Sequence, residues 1–422
     1  MRPAPREGLR RLFETAVAAA QPARVLPAHW PEPPMGRTVV LGVGKAAWGM
    51  GAALEAAWPA DRPLSGVLVA PAGSRPVGLG RLHRLESAHP VPDRRSVRAG
   101  RALLAATQGL GPQDLVIALL SGGASALATV PQPGLSFTDL QGIHQALLRC
   151  GAPIDAMNTL RKHLCALKGG QLAAACGRAP VLTLAISDIP GDRLDLIGSG
   201  PTLADPSTCG DALAVATRFA IPLPPVAEQA LRAGTWETPK ELPRHHRSQL
   251  VGSPAISLQA AADLGRQWGL HVTLLGDALQ GEARALGRHL AQQCAQPGLY
   301  LSGGETTVTL THSTPGRGGR NAECVLAALL EWRDRPGAYA LMADTDGIDG
   351  ASPWAGAQIG PDTWARAQAQ RLDLAEALHR HDAGGVLHAL GESLLTGPTG
   401  TNVNDFRALW IDEPPDPGSQ RS

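Results

Sequence analysis

The chain has 422 residues, which exceeds the size of a single ordinary core, so two domains are expected. Hydrophobic residues supply 44% and charged residues 18% of the composition, a balance typical of globular proteins and not of disordered ones. Because 38 basic residues are nearly matched by 37 acidic residues, the composition excludes a chain-wide positive field that would attract nucleic acid or a membrane surface.

The six cysteines are scattered and form no CxxC pair, which is typical of reduced thiols and argues against a zinc ribbon or a disulfide framework. Glu14 interrupts the basic and apolar N-terminus, which is therefore interpreted as a surface helix and not as a targeting signal. No apolar run reaches the length of a membrane span. These features predict a cytoplasmic protein.

Strands and helices are predicted to alternate through the first half of the chain. The predicted strands cover about residues 37–41, 66–70, 115–120 and 181–186. The predicted helices cover about residues 6–20, 46–57, 138–149 and 158–176, with a further helix that ends near 106. Such alternation indicates a parallel sheet that is covered by helices on both faces.

A proline-rich stretch at 221–254 with few apolar runs indicates a domain boundary. We therefore expect an N-terminal domain over 1–245 and a C-terminal domain over 246–422, both of the α/β class. In the second domain, helices are predicted near 256–268, before 293 and at 322–331, and strands at 271–275, 299–302, 306–311 and 339–343. The tail after Asp412 is rich in proline, glycine and serine and is expected to be frayed.

A glycine-rich turn, GVGKAA at 42–47, follows the first predicted strand. It matches the GxGxxA fingerprint of dinucleotide-binding folds, which would indicate an oxidoreductase. That fingerprint also requires an acidic residue after the next strand to bind a ribose, and the sequence there is Pro71-Ala72-Gly73. The alternatives are that Lys45 directs its charge from a helix N-terminus toward a ligand, or that it is an ordinary surface lysine. Lysine occurs only four times in the chain, which favours a specific role.

The segment Asp114–Leu127, DLVIALLSGGASAL, predicts a buried strand, a tight glycine turn and a helix N-terminus. The backbone N–H groups of such a turn, together with the helix dipole, favour an anion. The alternative is an ordinary β–α turn. Ser-Gly-Gly occurs a second time at 302–304, which suggests two halves that each bind phosphate or line a cleft.

The helix predicted over 158–176 carries a polar face formed by Asn158, Arg161, Lys162 and Cys165, and Lys168 flanks this face. An amide and two cations side by side suit an anionic ligand, although a solvated helix face is the alternative. Gly169 and Gly170 are expected within this helix, where they would each cost about 1 kcal/mol relative to alanine.

Two loops in the sequence carry the remaining charged candidates. Asp188 and Asp192 follow the strand at 181–186, at the edge where α/β proteins bind ligands, and two such carboxylates can hold Mg²⁺; a simple Asx turn is the alternative. The segment GRGGRNAE at 316–323 places Arg320 at a helix start, where a guanidinium can bind a carboxylate or phosphate. No P-loop, protein-kinase or GxSxG motif is present.

Taken in order, eight segments closely resemble those of the class II glycerate 2-kinases over about residues 38–411: GVGKAA, SGGASAL, NTLRKHLCALKGG, SDIPGDRLDLIGSGPT, GGETTV, GRGGRNAE, TDGIDG and TGPTGTNVND. The resemblance implies an N-terminal glycerate kinase domain with a Rossmann-like parallel sheet, a C-terminal MOFRL domain and an active site in the cleft between them. It also implies transfer of the γ-phosphoryl group of ATP to the 2-hydroxyl of D-glycerate, with Mg²⁺, to give 2-phosphoglycerate.

The resemblance further implies that Lys45 and Arg320 are the catalytic residues. The other candidate residues are Ser121, Gly122, Gly123, Ser125, Lys168 and Asp188 for ATP, Asp188 and Asp192 for the metal ion, and Asn158, Lys162 and Asn321 for the substrate. Cys165 departs from the serine that is usual in the family. We expect ATP and D-glycerate as the partners of a monomer or homodimer, with neither nucleic acid nor membrane.

Two other functions stay open at this point. Members of the family often carry a hydroxypyruvate reductase label, so an NAD(P)H-dependent reductase is the first alternative, and a non-catalytic nucleotide-binding regulator is the second. The missing ribose-binding acid argues against the reductase. The density of charged residues on the loops of both domains argues against the regulator.

Overall fold

The computed structural model describes residues 1–75, 77–189, 191–310 and 316–413. These residues form two compact units. The first unit is Pro22–Val251, and the second unit combines Met1–Gln21 with Gly252–Ser422. Most of the tail expected to be frayed, 414–422, and residue 311 of a predicted strand lie outside the described residues. None of the described helices is both long and apolar enough to cross a membrane.

The helices and strands are numbered in chain order. The helices are α1 Pro5–Ala19, α2 Pro22–Val25, α3 Ala47–Ala57, α4 Arg94–Ala106, α5 Ala124–Leu127, α6 Phe137–Arg149, α7 Ile154–His163, α8 Gln171–Ala175, α9 Cys209–Arg218, α10 Pro225–Ala233, α11 Pro254–Gln267, α12 Ala283–Gln293, α13 Arg320–Trp332, α14 Thr363–Ala369, α15 Leu374–His379 and α16 Ala383–Ala389. The strands are β1 Thr38–Val43, β2 Leu64–Pro71, β3 Leu82–Ser87, β4 Leu115–Leu120, β5 Val181–Ile186, β6 Arg247–Gly252, β7 Val272–Glu282, β8 Gly298–Thr307, β9 Ala338–Asp344, β10 Gly356–Ile359, β11 Ser393–Leu394 and β12 Asp405–Ile411.

The first unit is built on a six-stranded sheet in the order β3-β2-β1-β4-β5-β6. The strands from β1 to β5 pair in parallel, and β1 and β5 are buried along their whole length, as expected for apolar runs covered on both faces. This order is that of the Rossmann fold, in which ligands bind beyond the carboxyl ends of the strands where the order reverses. The structure therefore confirms the predicted Rossmann-like sheet and places the reversal between β1 and β4.

The second unit holds a mixed sheet in the order β11-β10-β9-β12-β8-β7. The last strand in the sequence, β12, lies in the middle of this sheet and pairs antiparallel with both β8 and β9, while β7 pairs in parallel with β8. Helix α1 packs in the core of this unit, where the ring of Phe13 contacts Phe406 at 5.8 Å between centroids. The compact units thus differ from the predicted ranges 1–245 and 246–422, because the apolar face of α1 is buried against residues near the C-terminus.

The prediction of one continuous helix over 158–176 is wrong, because the chain forms two helices there. α7 ends at His163 and α8 begins at Gln171, and between them Gly169 and Gly170 adopt positive φ values of 57° and 83°. Their N–H groups donate to the carbonyls of Ser199 and Gly200 at 2.9 and 2.8 Å. The two glycines therefore form a turn that fixes the loop after β5, and they do not weaken a continuous helix.

Other differences lie where the sequence pattern was weak. The two strands predicted at 299–302 and 306–311 are the single strand β8, and β7 extends to Glu282. The elements α2, β3, α9, α10 and β6 were not predicted, nor were the elements after 350. β3 presents mainly polar and partly exposed residues, so it has no apolar run that could indicate a strand.

Candidate functional site

The turns after β1 and β4 contact each other at the carboxyl edge of the parallel sheet. The N–H of Lys45 donates to the carbonyl of Gly122 at 2.9 Å, and the N–H of Ala46 donates to the Ser121 hydroxyl at 3.0 Å. Gly44 has a φ of 139°, and a Cβ added there would lie 2.1 Å from Ser121 Oγ. The structure thus brings together two segments about 75 residues apart and joins them at the point where the strand order reverses.

The Ser-Gly-Gly turn is followed by a helix of one turn. Gly123 adopts a left-handed conformation, with a φ of 81°, and α5 then covers only Ala124–Leu127. A helix this short adds little dipole, so the anion-binding capacity of the turn rests on its backbone N–H groups. Ser121 is fully buried and its hydroxyl holds the Lys45 turn, which indicates a positioning role for this predicted ATP-binding residue.

The loop after β5 brings Asp188 onto the same turn. A Cβ at Gly122 would lie 1.6 Å from Asp188 Oδ2, so only glycine allows this approach. Asp192 has a positive φ of 53°, and its Oδ1 is buried without a hydrogen-bond partner among the described residues. Carboxylate oxygens are the ligands that Mg²⁺ prefers, and Mg²⁺ binding by Asp188 and Asp192 stays a prediction. Pro190, between them, lies outside the described residues.

A chain of hydrogen bonds links the turn to α7. The hydroxyls of Ser125 and Ser199 are 2.7 Å apart, and Ser199 donates to Asn158 Oδ1 at 2.7 Å. Ser199 is fully buried and has a φ of 62°, which is rare for a residue other than glycine. Sequence reasoning missed Ser199, although the glycines on either side of it marked the loop. His89, also missed, lies over the turn, 3.0 Å from a Cβ built on Gly123.

Lys162, a predicted substrate-binding residue, forms a buried ion pair. Its ammonium lies 3.1 Å from Asp205 and 3.7 Å from Asp195. The side chain of Asp205 is fully buried and also accepts hydrogen bonds from Ser207 and Thr238. This arrangement is typical of a structural ion pair, so substrate binding by Lys162 stays a prediction.

Lys168, a predicted ATP-binding residue, is buried at 1% exposure. Its ammonium donates to the Thr129 hydroxyl at 3.3 Å, and Thr129 in turn lies 3.3 Å from the Cys165 sulfur. Burial lowers the pKa of Lys168 because the charged form is taken out of water.

In the second unit, Arg320 is held by three carboxylates. Its guanidinium donates to Asp405 and Asp344 at 2.7 Å each and to Glu305 at 3.1 Å. Burial opposes the charged form, but Asp405, Asp344 and Glu305 outweigh it and raise the pKa. Asp344 lies at the end of β9 and Asp405 at the start of β12, and the two residues are paired in the sheet. Acidic residues that are distant in sequence are therefore adjacent at this sheet edge.

Asn321 and the acidic loop TDGIDG complete this network. Asn321 Nδ2 donates to Asp405 at 2.7 Å. Asp349 accepts from the N–H groups of Asn321 and Ala322 at 3.0 and 2.9 Å, so it closes the N-terminus of α13. Burial raises the pKa of Asp349 to about 6 despite these bonds. The loop therefore stabilises the N-terminus of α13.

One group of side chains among the described residues, His163, Cys209 and Glu237, offers metal-ligand atoms within 4.8 Å of one another. Glu237 already pairs with Lys240 at 2.5 Å and with His163 Nε2 at 3.2 Å. Because the lysine balances its charge, this group is a hydrogen-bonded ion network. It contains neither of the predicted metal ligands, Asp188 and Asp192.

The end of β2 is the position at which a dinucleotide fold would bind ribose. β2 pairs in parallel with β1, and Val43 at the end of β1 lies opposite Val69. The chain then continues through Ala70 and Pro71 to Ala72, without an acid. The geometry thus supports the argument against a nicotinamide cofactor.

Comparisons with known proteins cover nearly the whole chain. Residues 8–232 match a family described as a domain of unknown function, DUF4147, and residues 298–405 match the MOFRL family. A protein of Agrobacterium vitis with a hydroxypyruvate reductase label is 46% identical over 416 residues, which cover 96% of this chain and 94% of that protein. D-glycerate 2-kinase of Thermotoga maritima is 35% identical over 406 residues, which cover 94% and 95%. The crystal structure of glycerate kinase from Thermotoga maritima matches with a TM-score of 0.87 and 33% identity over 96% of this chain and 99% of that one.

Proposed function

Because the chain belongs to the family that joins a DUF4147 domain to a MOFRL domain, we propose that it is a glycerate kinase that uses ATP. The observation that carries the proposal is the pair of joined turns at the reversal of the Rossmann sheet, with Asp188 packed on Gly122 and no acid at the end of β2. This arrangement suits a polyphosphate better than a dinucleotide, which disfavours the reductase label that some relatives carry.

The acceptor is D-glycerate and the reaction occurs at its 2-hydroxyl, as the name of the Thermotoga maritima relative indicates for that protein. Purified protein with Mg-ATP and D-glycerate should release ADP and 2-phosphoglycerate. Coupling to enolase identifies the product, because enolase accepts the 2-phosphate and not the 3-phosphate. A parallel assay with NADH and hydroxypyruvate tests the alternative. NADH oxidation without ADP release would overturn the proposal.

Phosphoryl transfer requires positioning and positive charge more than covalent chemistry from the protein. Lys45 supplies one charge from the turn after β1, and Arg320, oriented by its carboxylates, supplies another. Lys45→Met should reduce kcat on the order of 10²- to 10³-fold while ATP still binds. Lys240→Met is the matched control, because Lys240 is exposed and pairs with Glu237.

Arg320→Ala should reduce kcat on the order of 10³- to 10⁵-fold. Arg317→Ala is its control, because Arg317 lies exposed in the same segment. Equal turnover of the Arg320 and Arg317 variants would remove Arg320 from the mechanism.

Asp188 and Asp192 would hold Mg²⁺, which would neutralise charge on the nucleotide phosphates. Support comes from the position of Asp188 against Gly122 in the Ser121–Gly123 turn and from the unpartnered Oδ1 of Asp192. Asp188→Asn should raise the Mg²⁺ concentration needed for half-maximal turnover at least about tenfold, since one of two anionic ligands is lost. The Asp155 side chain is 59% exposed, so Asp155→Asn should leave this Mg²⁺ concentration unchanged.

We propose a cytoplasmic enzyme that acts as a monomer or homodimer.

A further inference from the structure

Two buried cations of the first unit form no ion pair with a carboxylate among the described residues. Lys168 is 1% exposed, and its ammonium donates to the Thr129 hydroxyl and interacts with the Cys165 thiol. Arg161, on α7, has a buried Nε without an acceptor. The neighbouring Lys162, by contrast, is paired with Asp205 at 3.1 Å. Because an uncompensated buried charge strongly destabilises a fold, such a pair of cations indicates a missing anion.

A third basic side chain, His144, joins them from α6. His144 is 3% exposed, and its Nε2 is buried without a partner. Helices α6 and α7 pack through one hydrophobic cluster that includes Leu140 and Leu160. Burial lowers the pKa of His144 well below its usual value, and the charges of Lys168 and Arg161 lower it further. His144 is thus a buried, unpartnered basic group on the helix that packs against the one carrying Arg161.

The amide of Asn158 completes the cluster and connects it to the segment that follows the Ser121–Gly123 turn. Asn158 precedes Arg161 by one helical turn, so both side chains lie on one face of α7. The Oδ1 of Asn158 accepts a hydrogen bond from the Ser199 hydroxyl, whereas its Nδ2 is buried and unpartnered. The carbonyl of Ser199 also accepts from the N–H of Gly169, next to Lys168, and its hydroxyl contacts Ser125.

From these contacts we infer that Arg161, Lys168 and His144, with Asn158 Nδ2, form a binding site for the carboxylate of a small hydroxy acid. The unpartnered Arg161 Nε, His144 Nε2 and Asn158 Nδ2 offer hydrogen-bonding groups to its oxygens, and the cations balance its charge. The inference rests on the proposed function, in which this acid is the phosphoryl acceptor. The hydrogen bonds through Ser199 then fix the acceptor site relative to the turn at Ser121–Gly123.

Arg161→Met tests the site, with Arg149→Met, an exposed position on α6, as the control. The Arg161 variant should raise KM for D-glycerate about 10- to 100-fold, the effect of losing a hydrogen bond to a charged group, and leave KM for ATP unchanged. Arg161→Lys, which keeps the charge, should recover part of this loss. A rise in KM for ATP alone would overturn the inference, because the cluster would then bind nucleotide.

Thermal unfolding separates a binding role from a structural one. Removing one of several repelling buried charges should leave the Tm of the ligand-free protein unchanged or raise it. D-Glycerate should raise the Tm of the wild type and of the Arg149 variant but not that of Arg161→Met. A large fall in the ligand-free Tm, or an equal glycerate-induced shift in all three proteins, would overturn the inference.

The same experiment distinguishes the carboxylate site from the proposed function. If glycerate raises the Tm through Arg161 but no phosphoryl transfer occurs, the proposed function fails and the carboxylate site stands. If the wild type turns over glycerate and Arg161→Met does so with unchanged KM, the carboxylate site fails and the proposed function stands.

Discussion

The Ser121 hydroxyl accepts a hydrogen bond of 3.0 Å from the N–H of Ala46, and this bond joins the turns that follow β1 and β4. Ser121 thereby sets the position of Lys45 relative to Gly122, although the serine itself carries no charge. The close approach of the two turns depends on Gly44, which lies directly against Ser121.

Gly44→Ala should disrupt nucleotide binding. Its Cβ would lie 2.1 Å from Ser121 Oγ and 2.5 Å from the Ser121 carbonyl, and the φ of 139° is unfavourable for alanine. We expect ATP affinity, measured by calorimetry, to fall by about tenfold or more, since a displaced turn loses at least one charge-assisted hydrogen bond. Gly78→Ala is the control, because its Cβ would meet no atom within 4 Å. Equal ATP affinity of the two variants would contradict the prediction.

Lys162→Met should reduce stability, in contrast to Arg161→Met. Removing Lys162 leaves the buried Asp205 without its cation, which costs about 3–5 kcal/mol in the free energy of unfolding. Urea denaturation measures this loss, and Lys162→Met/Asp205→Leu should recover part of it. Wild-type stability combined with a raised KM for glycerate would instead support the substrate-binding role predicted from the sequence.

The stability of the second unit should depend on pH through Asp349. Its pKa is raised from 3.8 to about 6 by burial, so the folded state binds more protons than the unfolded state between these values. The contribution of Asp349 to the free energy of unfolding is therefore full below pH 3.8 and falls by about 3 kcal/mol as the pH rises through 6. Asp349→Asn stays neutral, so the wild type should lose stability relative to it from pH 4 to 7. A pH-independent difference in urea unfolding would contradict this.

Phe13→Ala should destabilise the second unit, although residue 13 lies near the N-terminus. The Phe13 ring is 2% exposed and packs against Phe406. The lost packing is expected to lower the free energy of unfolding by about 3–5 kcal/mol. Glu14→Ala, at an exposed position of the same helix, is the control. Unfolding followed by tryptophan fluorescence should show no difference between these variants if α1 does not stabilise this core.

Much of the candidate site could be predicted because its chemistry is local in sequence. Gly44, Gly122 and Gly123 directly follow buried apolar strands, and the parallel sheet places such ends at one edge. Asp188 was found in the same way. Ser199 and His89 were missed because neither follows an apolar run, and each reaches the turn through the packing of another loop.

The sequence by itself determined the alternation of strands and helices, the glycine turns and the position of each charged candidate on them, because strand burial and turn conformation depend on neighbouring residues. Only the tertiary structure decided what each charge does. Lys162 and Arg161 are adjacent, yet the first is neutralised by Asp205, 43 residues later, and the second forms no ion pair with an acid of the described chain. The partners that neutralise a buried charge come from distant segments, so no local pattern distinguishes a structural cation from one that binds a ligand.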